Sequence, residues 1–223
     1  MEKTLKVTGK GILEVKPDIT IVRVELKKTE KTYQKAMEMA NEEGKALKEL
    51  LSKVGINKDT IKTKRFSIEP HYLYYKDSYG NNKSKIDGYT FDNELEFKFD
   101  IDNKLLGAVL YQIASCKTSS NVDIKHSYKD VEKAKNMLLK NAVDDAIEKA
   151  EILSMASNVK LKNIVSINYS FDDLNFEISP FNRRYRESMI TGEYLLESSS
   201  YDMDIDPEDI TLRDSVTIVW SIE

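Results

Sequence analysis

The 223-residue sequence contains little cysteine, histidine, glycine or proline. It has one cysteine, two histidines, eight glycines and four prolines. A single cysteine cannot form a disulfide within the chain, which excludes a disulfide-stabilised scaffold. Two histidines and one cysteine also make a closed zinc site unfavourable. A chain of this length can bury a sizeable core without such crosslinks, so we expect it to fold unaided.

Long apolar runs and an excess of positive charge are also missing. No run approaches the roughly 20 residues of a membrane-spanning helix. The formal charge of −4, from 34 basic and 38 acidic residues, lacks the positive field that nucleic-acid binding needs. Residues 1–4, MEKT, lead directly into a predicted strand and leave no room for a signal peptide. With the lone cysteine, this predicts a cytoplasmic protein without a transmembrane segment or a nucleic-acid partner.

Two closely spaced glycines in residues 8–18, TGKGILEVKPD, raise the question of a phosphate-binding loop. The dinucleotide motif G-x-G-x-x-G would need a third glycine where Glu14 lies, and the following Val-Lys-Pro suits a strand and a turn. Apolar residues and glycines instead alternate with mostly polar residues from Leu5 to Val15. This pattern predicts a strand in which Gly9 and Gly11 allow another backbone or a large side chain to approach closely.

Alternation and helical periodicity predict the remaining elements. Strands are predicted at residues 19–26, 61–72, 89–101, 122–128, 164–171 and 210–222, and helices at residues 33–54, 103–115 and 130–157. A slip in phase at residues 21–22 predicts a bulge in the second strand. Thr32 or Thr29 is expected to cap the first helix, Gly55 to end it and Asp130 to cap the last helix.

The strand from Tyr89 to Ile101 has the clearest pattern in the chain. One face is apolar, apart from Asn93, and the other face is charged, which is typical of a sheet with one solvent-exposed side. We therefore predict an α+β fold in which two long helices and one short helix cover an antiparallel or mixed sheet. Residues 1–223 are predicted to form a single domain, with two α+β subdomains at about residues 1–102 and 103–223 as the finer alternative.

Residues with catalytic or metal-binding side chains do not form a recognisable motif. Glu69 and His71 share a predicted strand face, but two ligands are too few for a closed metal site. His126 continues an apolar strand face and is interpreted as a core or edge histidine. Cys116 lies at the C-terminal side of a predicted helix, away from the helix N-terminus that would activate it. We predict no catalytic, cofactor-binding or metal site and no enzyme activity, with a small-ligand binder or an enzyme with an unrecognised site as the alternative.

Three clusters of residues each allow two interpretations. They are the aspartates Asp202, Asp204 and Asp206, the arginines Arg183, Arg184 and Arg186, and the tyrosines Tyr72, Tyr74, Tyr75, Tyr79 and Tyr89. The aspartates alternate as in a calcium loop, but the glycine and glutamate of such a loop are missing, which favours a solvated acidic loop. The arginines resemble a nucleic-acid or acidic-peptide patch, although a solvated loop is favoured. The tyrosines, in a predicted hairpin with a Gly-Asn-Asn tip, suit a ligand platform or an oligomer contact.

Residues 172–208 lack the periodicity of the rest of the chain. Their first part mixes aromatic residues with arginines, whereas residues 193–209 contain acidic residues and no lysine or arginine. Loops longer than about 15 residues without regular structure tend to be functional or disordered. This segment is therefore predicted to be an insertion that forms a mobile surface loop and contacts another subunit or a protein partner.

The order of several short motifs resembles the SIMPL domain family. The motifs are TGKGILEVKPD before a strand, a helix ending in LLSKVGI, then TIKTKRFSIEPHYLY, the DGY of residues 87–89, and the helical run NAVDDAIEKAEILS. The resemblance runs from about residue 4 to 171 and resumes at residues 210–222. It implies an α+β fold and assigns the first two glycines to a strand. Because the family is one of unknown function, no catalytic residue carries over.

The resemblance also implies a role in protein assembly. Many SIMPL proteins are exported to the bacterial periplasm or outer membrane, and a periplasmic immunogenic protein among them forms a large ring-like assembly. Others are linked to signalling complexes or to oxidative stress. The resemblance therefore implies a non-enzymatic homo-oligomeric interaction protein linked to stress response or signalling. The absence of an export signal departs from the exported members and keeps the cytoplasmic expectation.

Overall fold

The computed structural model describes residues 3–116, 119–169, 174–179 and 205–223. The strands of this part of the chain are β1 (Thr4–Val15), β2 (Ile19–Glu30), β3 (Lys62–Lys76), β4 (Asn82–Asp100), β5 (Ser119–Ser127), β6 (Leu161–Tyr169) and β7 (Ile210–Ile222). The helices are α1 (Tyr33–Lys53), α2 (Asn103–Ala114) and α3 (Val131–Ala156). Two long helices and one short helix agree with the predicted elements.

The strands form two antiparallel sheets, which confirms the α+β class. The strand order is β1-β7-β6 in one sheet and β3-β4-β2-β5 in the other. The described residues fall into two compact units: the first lies within Met1–Asp18, Ser127–Ile178 and Pro207–Glu223, and the second within Ile19–His126 and Ser179–Asp206. Among the described helices, none is long and apolar enough to cross a membrane.

The first unit is built on close contact between β1 and α3. A stripe of small residues on α3 is buried: Ala134, Ala142, Ala146 and Ala150. A Cβ atom on Gly9 would collide with the carbonyl oxygen of Ala142, and one on Gly11 would collide with that of Leu138. The prediction that these glycines admit a neighbouring backbone is therefore confirmed. Asp130 caps α3 by accepting the Lys133 N–H at 3.0 Å, also as predicted.

The second unit packs α1 and α2 against one face of its four-stranded sheet. Thr32 caps α1 by accepting the Lys35 N–H, and Gly55 follows the helix with φ of 95°. The predicted bulge at residues 21–22 is wrong, because β2 and β4 pair in unbroken register. Ile21 and Val22, on opposite faces of β2, are both buried, which accounts for the slip in the apolar pattern. In this sheet, register irregularities lie instead in the β3–β4 pair, between Thr63 and Arg65 and between His71 and Tyr72.

The predicted insertion at residues 172–208 is described only at 174–179 and 205–208. Phe176 is buried among apolar residues of the first unit, including Leu138 and Leu212. Phe176 is therefore part of a core, in contrast to the surface loop expected at this position. The arginine cluster and the first two aspartates of the acidic cluster lie outside the described residues.

Candidate functional site

The tyrosine-rich hairpin of β3 and β4 extends beyond the rest of its sheet. Pairing between β2 and β4 ends at Glu30 and Tyr89, whereas β3 and β4 remain paired as far as Lys76 and Asn82. Residues 71–88 therefore form a two-stranded projection, which we call the tyrosine arm. An isolated two-stranded hairpin is at best marginally stable in water. The arm therefore depends on contacts at its base or with a partner.

The base of the arm contacts the end of β2 and the start of α1. A Cβ atom on Gly88 would lie 2.5 Å from the carbonyl oxygen of Glu30, so the two backbones are in close contact. The Lys31 ammonium lies 3.2 Å from the Asp87 carboxylate. The ring of Tyr89, at the last β2–β4 pair, meets the Tyr33 ring edge to face at 5.8 Å. These contacts join distant segments and were not predicted from the sequence.

The tip of the arm has a hydrogen-bonded turn. The Asp77 carboxylate accepts the backbone N–H groups of Tyr79 at 2.9 Å and Asn81 at 3.0 Å, and the Asn81 bonds are the main cause of a lowered pKa for Asp77. Gly80 has φ of 80°, which favours glycine. The predicted Gly-Asn-Asn tip is confirmed. Tyr79 is 88% exposed on this turn.

The two faces of the arm differ in charge. Cross-strand pairing places Tyr72, Tyr74, Ser84 and Ile86 on one face, which we call the apolar face, and Leu73, Tyr75, Lys83 and Lys85 on the opposite, lysine face. On the lysine face, the Lys85 ammonium lies 5.9 Å from the centre of the Tyr75 ring, within cation–π range. On the apolar face, Tyr74 is 78% exposed. Tyr72, Tyr74, Ser84 and Ile86 therefore offer an uncharged surface that a protein contact can bury, and Lys76, paired with Asn82, continues the same face at the tip end.

A second candidate is an open cleft of about 240 Å³ on the charged face of the same sheet. It is lined by Arg23, Glu25, Arg65, Glu94, Asn121 and Asp123. The Arg23 Nε lies 2.8 Å from the Glu96 carboxylate, and one guanidinium nitrogen of Arg65 lies 3.1 Å from both oxygens of Asp92. Both guanidinium groups are thus held by carboxylates of the sheet itself. The lining contains neither a histidine nor a cysteine.

The two histidines and the cysteine lie apart in the second unit. His71 is exposed on the arm, whereas His126 is completely buried in β5, with its Nδ1 3.2 Å from the Thr20 hydroxyl. The complete burial of His126 confirms its interpretation as a core histidine, and the same burial lowers its pKa. Cys116 follows α2, and burial, with a smaller contribution from Glu43, raises the pKa of its thiol. Such a shift disfavours the nucleophilic thiolate.

Metal binding and acid–base catalysis both need converging side chains. Within the described ranges, no group of three or more histidine, cysteine, aspartate or glutamate residues has a metal-binding arrangement. A nucleophile and a base must lie within hydrogen-bond reach to cooperate. Neither candidate surface brings such a pair together from the residues that the structure describes there. The arm is therefore the stronger candidate, as a binding surface.

Comparison with known proteins adds two findings. The family model SIMPL, described as a protein of unknown function (DUF541), matches residues 5–220. The chain is also similar to proteins named 26 kDa periplasmic immunogenic protein, from Brucella melitensis biotype 1 and from Brucella abortus. Each is 27% identical over 164 residues, which cover 73% of this chain and 65% of the relative. The chain thus spans about two thirds of the length of these relatives.

The names of these relatives contradict the predicted cytoplasmic location. Both are named periplasmic proteins. The prediction rested on residues 1–4 and on the single cysteine. The single cysteine does not decide the compartment, because a chain large enough to bury a core needs no disulfide in an oxidising environment. Residues 1–4 do not decide it either, since the relatives extend beyond the region that they share with this chain.

Proposed function

Since the chain belongs to the SIMPL family, whose function is unknown, we propose a function from its own surface: it is a non-enzymatic assembly protein, and its copies associate through the apolar face of the tyrosine arm. The observation that carries this proposal is the exposure of the tyrosines on a projecting hairpin. Tyr74 is 78% exposed, and Tyr72 and Ile86 beside it are about half exposed. Aromatic side chains are enriched where proteins meet.

A second copy is the partner that the apolar face fits best. In a two-fold contact the same patch serves both copies, so the patch must be complementary to itself. The four residues of the apolar face carry no charge, and Lys83 and Lys85 lie on the opposite side of the hairpin. Lys76 continues the apolar face at its tip end. In a two-fold contact with the hairpins antiparallel, the two copies of Lys76 lie at opposite ends of the contact, and Lys83 and Lys85 lie outside it.

The area available is consistent with a moderate affinity. If Tyr72, Tyr74 and Ile86 of each copy bury about 100 Å² apiece, the gain is on the order of 15 kcal/mol at about 25 cal/mol per Å². The entropy lost on association and side-chain ordering costs about 4–15 kcal/mol of this free energy. We therefore expect a dissociation constant in the micromolar range, about −8 kcal/mol.

We extend the periplasmic location in the names of the relatives to this chain. A link to stress response or signalling, and a protein partner bound through residues 172–208, are further parts of the proposal. The alternative, a small-ligand binder or an enzyme with an unrecognised site, would use the charged cleft, whose lining offers both guanidinium and carboxylate groups. Isothermal titration with zwitterionic ligands would test that alternative.

The tyrosine substitutions Tyr72→Ser and Tyr74→Ser test the proposed contact. We expect the wild-type protein to form species larger than its 25.6 kDa monomer between about 1 and 100 μM, as measured by sedimentation velocity. The double variant should raise the dissociation constant at least about tenfold, because it removes apolar area from both sides of the contact.

A matched control separates the arm from general surface hydrophobicity. Tyr111 on α2 is 47% exposed and Tyr72 is 46% exposed, so Tyr111→Ser removes a comparable tyrosine outside the arm. It should leave association unchanged, and circular dichroism should show all variants folded. A wild-type protein that stays monomeric at every concentration, or equal effects of Tyr72→Ser and Tyr111→Ser, would refute the proposal.

A further inference from the structure

The edge strand β6 carries exposed apolar side chains. In the order β1-β7-β6 only one side of β6 is paired among the described strands. Ile164, Val165 and Ile167 are 51%, 54% and 55% exposed. Natural edge strands usually carry charges or proline that prevent pairing with another chain. β6 contains no proline and one charged residue, Lys162, which forms an ion pair with Glu223.

The two isoleucines extend the apolar face of the sheet that packs against α3. Ile164 pairs with Trp220, and Ile167 pairs with Ile218. Both β7 residues are buried in the cluster that contains the α3 alanines. Paired residues point to the same side of a sheet, so Ile164 and Ile167 lie on the helix side of β6. They stay half exposed because α3 packs mainly over β1 and β7, which leaves an apolar strip beside the helix.

The sequence of β6 is complementary to itself. An antiparallel pairing centred on Val165 places Ile164 beside Ser166, Asn163 opposite Ile167, and Lys162 opposite Asn168. This arrangement brings no like charges together, although charges directly opposite each other would oppose pairing. Its pairing with β7 is irregular between Leu161 and Ser166, whereas residues Ser166 to Tyr169 pair with β7 in regular register.

We propose that β6 pairs antiparallel with β6 of a second copy and joins two three-stranded sheets into one sheet of six strands. Main-chain hydrogen bonds across the two-fold axis would satisfy the open edge, and Val165 of each copy would lie beside Val165 of the other. This interface rests on the first unit alone and does not depend on the tyrosine arm. A chain with two separate two-fold contacts builds assemblies larger than a dimer.

Disulfide trapping tests the pairing directly. Residues opposite each other in an antiparallel pair have Cα atoms about 4.5–5.5 Å apart, which suits a disulfide. In a Cys116→Ser background, Val165→Cys should give a covalent dimer with oxidised glutathione as the oxidant. Ile12→Cys is the matched control, because Ile12 is 54% exposed on β1, the other edge strand of the same sheet. We expect crosslinking at residue 165 to be at least about tenfold faster, since only that pair is held in place.

The arm and the edge can be distinguished in one experiment. Crosslinking of Val165→Cys should persist when Tyr72 and Tyr74 are both changed to serine. In that same arm-deficient protein, Val165→Lys should raise the dimer dissociation constant at least about tenfold because two lysines would face each other across the axis, whereas Ile12→Lys should not. Crosslinking that disappears with the arm tyrosines, or equal crosslinking at residues 12 and 165, would overturn the proposal.

Discussion

The substitution Gly9→Ala tests how strongly the contact between β1 and α3 limits the first unit. A Cβ atom at this position would lie 2.5 Å from the Ala146 amide nitrogen and 2.7 Å from the Ala146 Cβ, and would also collide with the Ala142 carbonyl oxygen. The obstructing atoms belong mainly to the helix backbone. A side chain could rotate aside, but here α3 must move away from the sheet.

The expected loss of stability follows from these contacts. Overpacking a core usually costs about 1–3 kcal/mol, and a rigid helix backbone favours the upper value. Alanine also reduces the freedom of the unfolded chain, which returns up to about 1 kcal/mol. We therefore expect Gly9→Ala to lower the free energy of unfolding of the first unit by about 2 kcal/mol.

Trp220 provides the assay. It is the only tryptophan in the sequence and lies in the same buried cluster as Ala142 and Ala146, so its fluorescence during urea unfolding reports on the first unit. Gly44→Ala, followed by circular dichroism, is the glycine control. Its Cβ would lie 3.3 Å from the Asn93 side-chain nitrogen, so only the end of one side chain must shift slightly, and the helix gains up to about 1 kcal/mol from alanine. A Gly9→Ala protein within about 0.5 kcal/mol of the wild type would refute the reasoning.

Two further predictions concern buried polar side chains. Burial lowers the pKa of His126 in the folded state, so the unfolded state binds more protons below its ordinary pKa of 6.5. The free energy of unfolding should therefore be highest above about pH 6.5 and fall as the pH decreases. Urea titrations at several pH values should show a smaller fall in His126→Asn than in the wild type, and the wild-type fall in the control His71→Asn. A wild-type stability that does not change with pH would contradict this. Glu96 is almost fully buried beside Arg23, so Glu96→Gln should lower the free energy of unfolding by about 2 kcal/mol. Asp87→Asn, in an exposed pair, should lower it by less than about 0.5 kcal/mol in the same urea titrations. Equal losses would count against this ranking.

Periodicity predicted the elements well because it records which face of a strand or helix is buried. The alternation from Leu5 to Val15 and the alanine spacing of α3 both reflect one-sided packing. Periodicity does not record which strand lies beside which. β1 pairs with β7, and β2 pairs with β4 although α1 and β3 lie between them in the chain, so the division into two sheets was not predictable from local pattern.

Polar residues inside apolar patterns were the least predictable part of the structure. Asp214 interrupts the phase of β7 because its carboxylate accepts the Ser215 N–H at 2.7 Å and lies beside the Tyr169 hydroxyl. Burial, followed by the Asp214 charge, raises the pKa of Tyr169 to about 12. In the candidate site, the tyrosines and the tip were visible in the sequence. The contacts at the base, such as Lys31 with Asp87, were not, because they join residues far apart in the chain.

The central position of β7 in its sheet has a consequence for the order of folding. Neither β1 nor β6 has another strand beside it in the described sheet until β7 is present, and β7 begins at Ile210. The strands of the other sheet all lie before residue 128 and can pair much earlier during synthesis. Until β7 emerges from the ribosome, the glycine face of β1 and the alanine stripe of α3 lack the central strand of their sheet. A chain that ends before Ile210 would keep one sheet and lose the other.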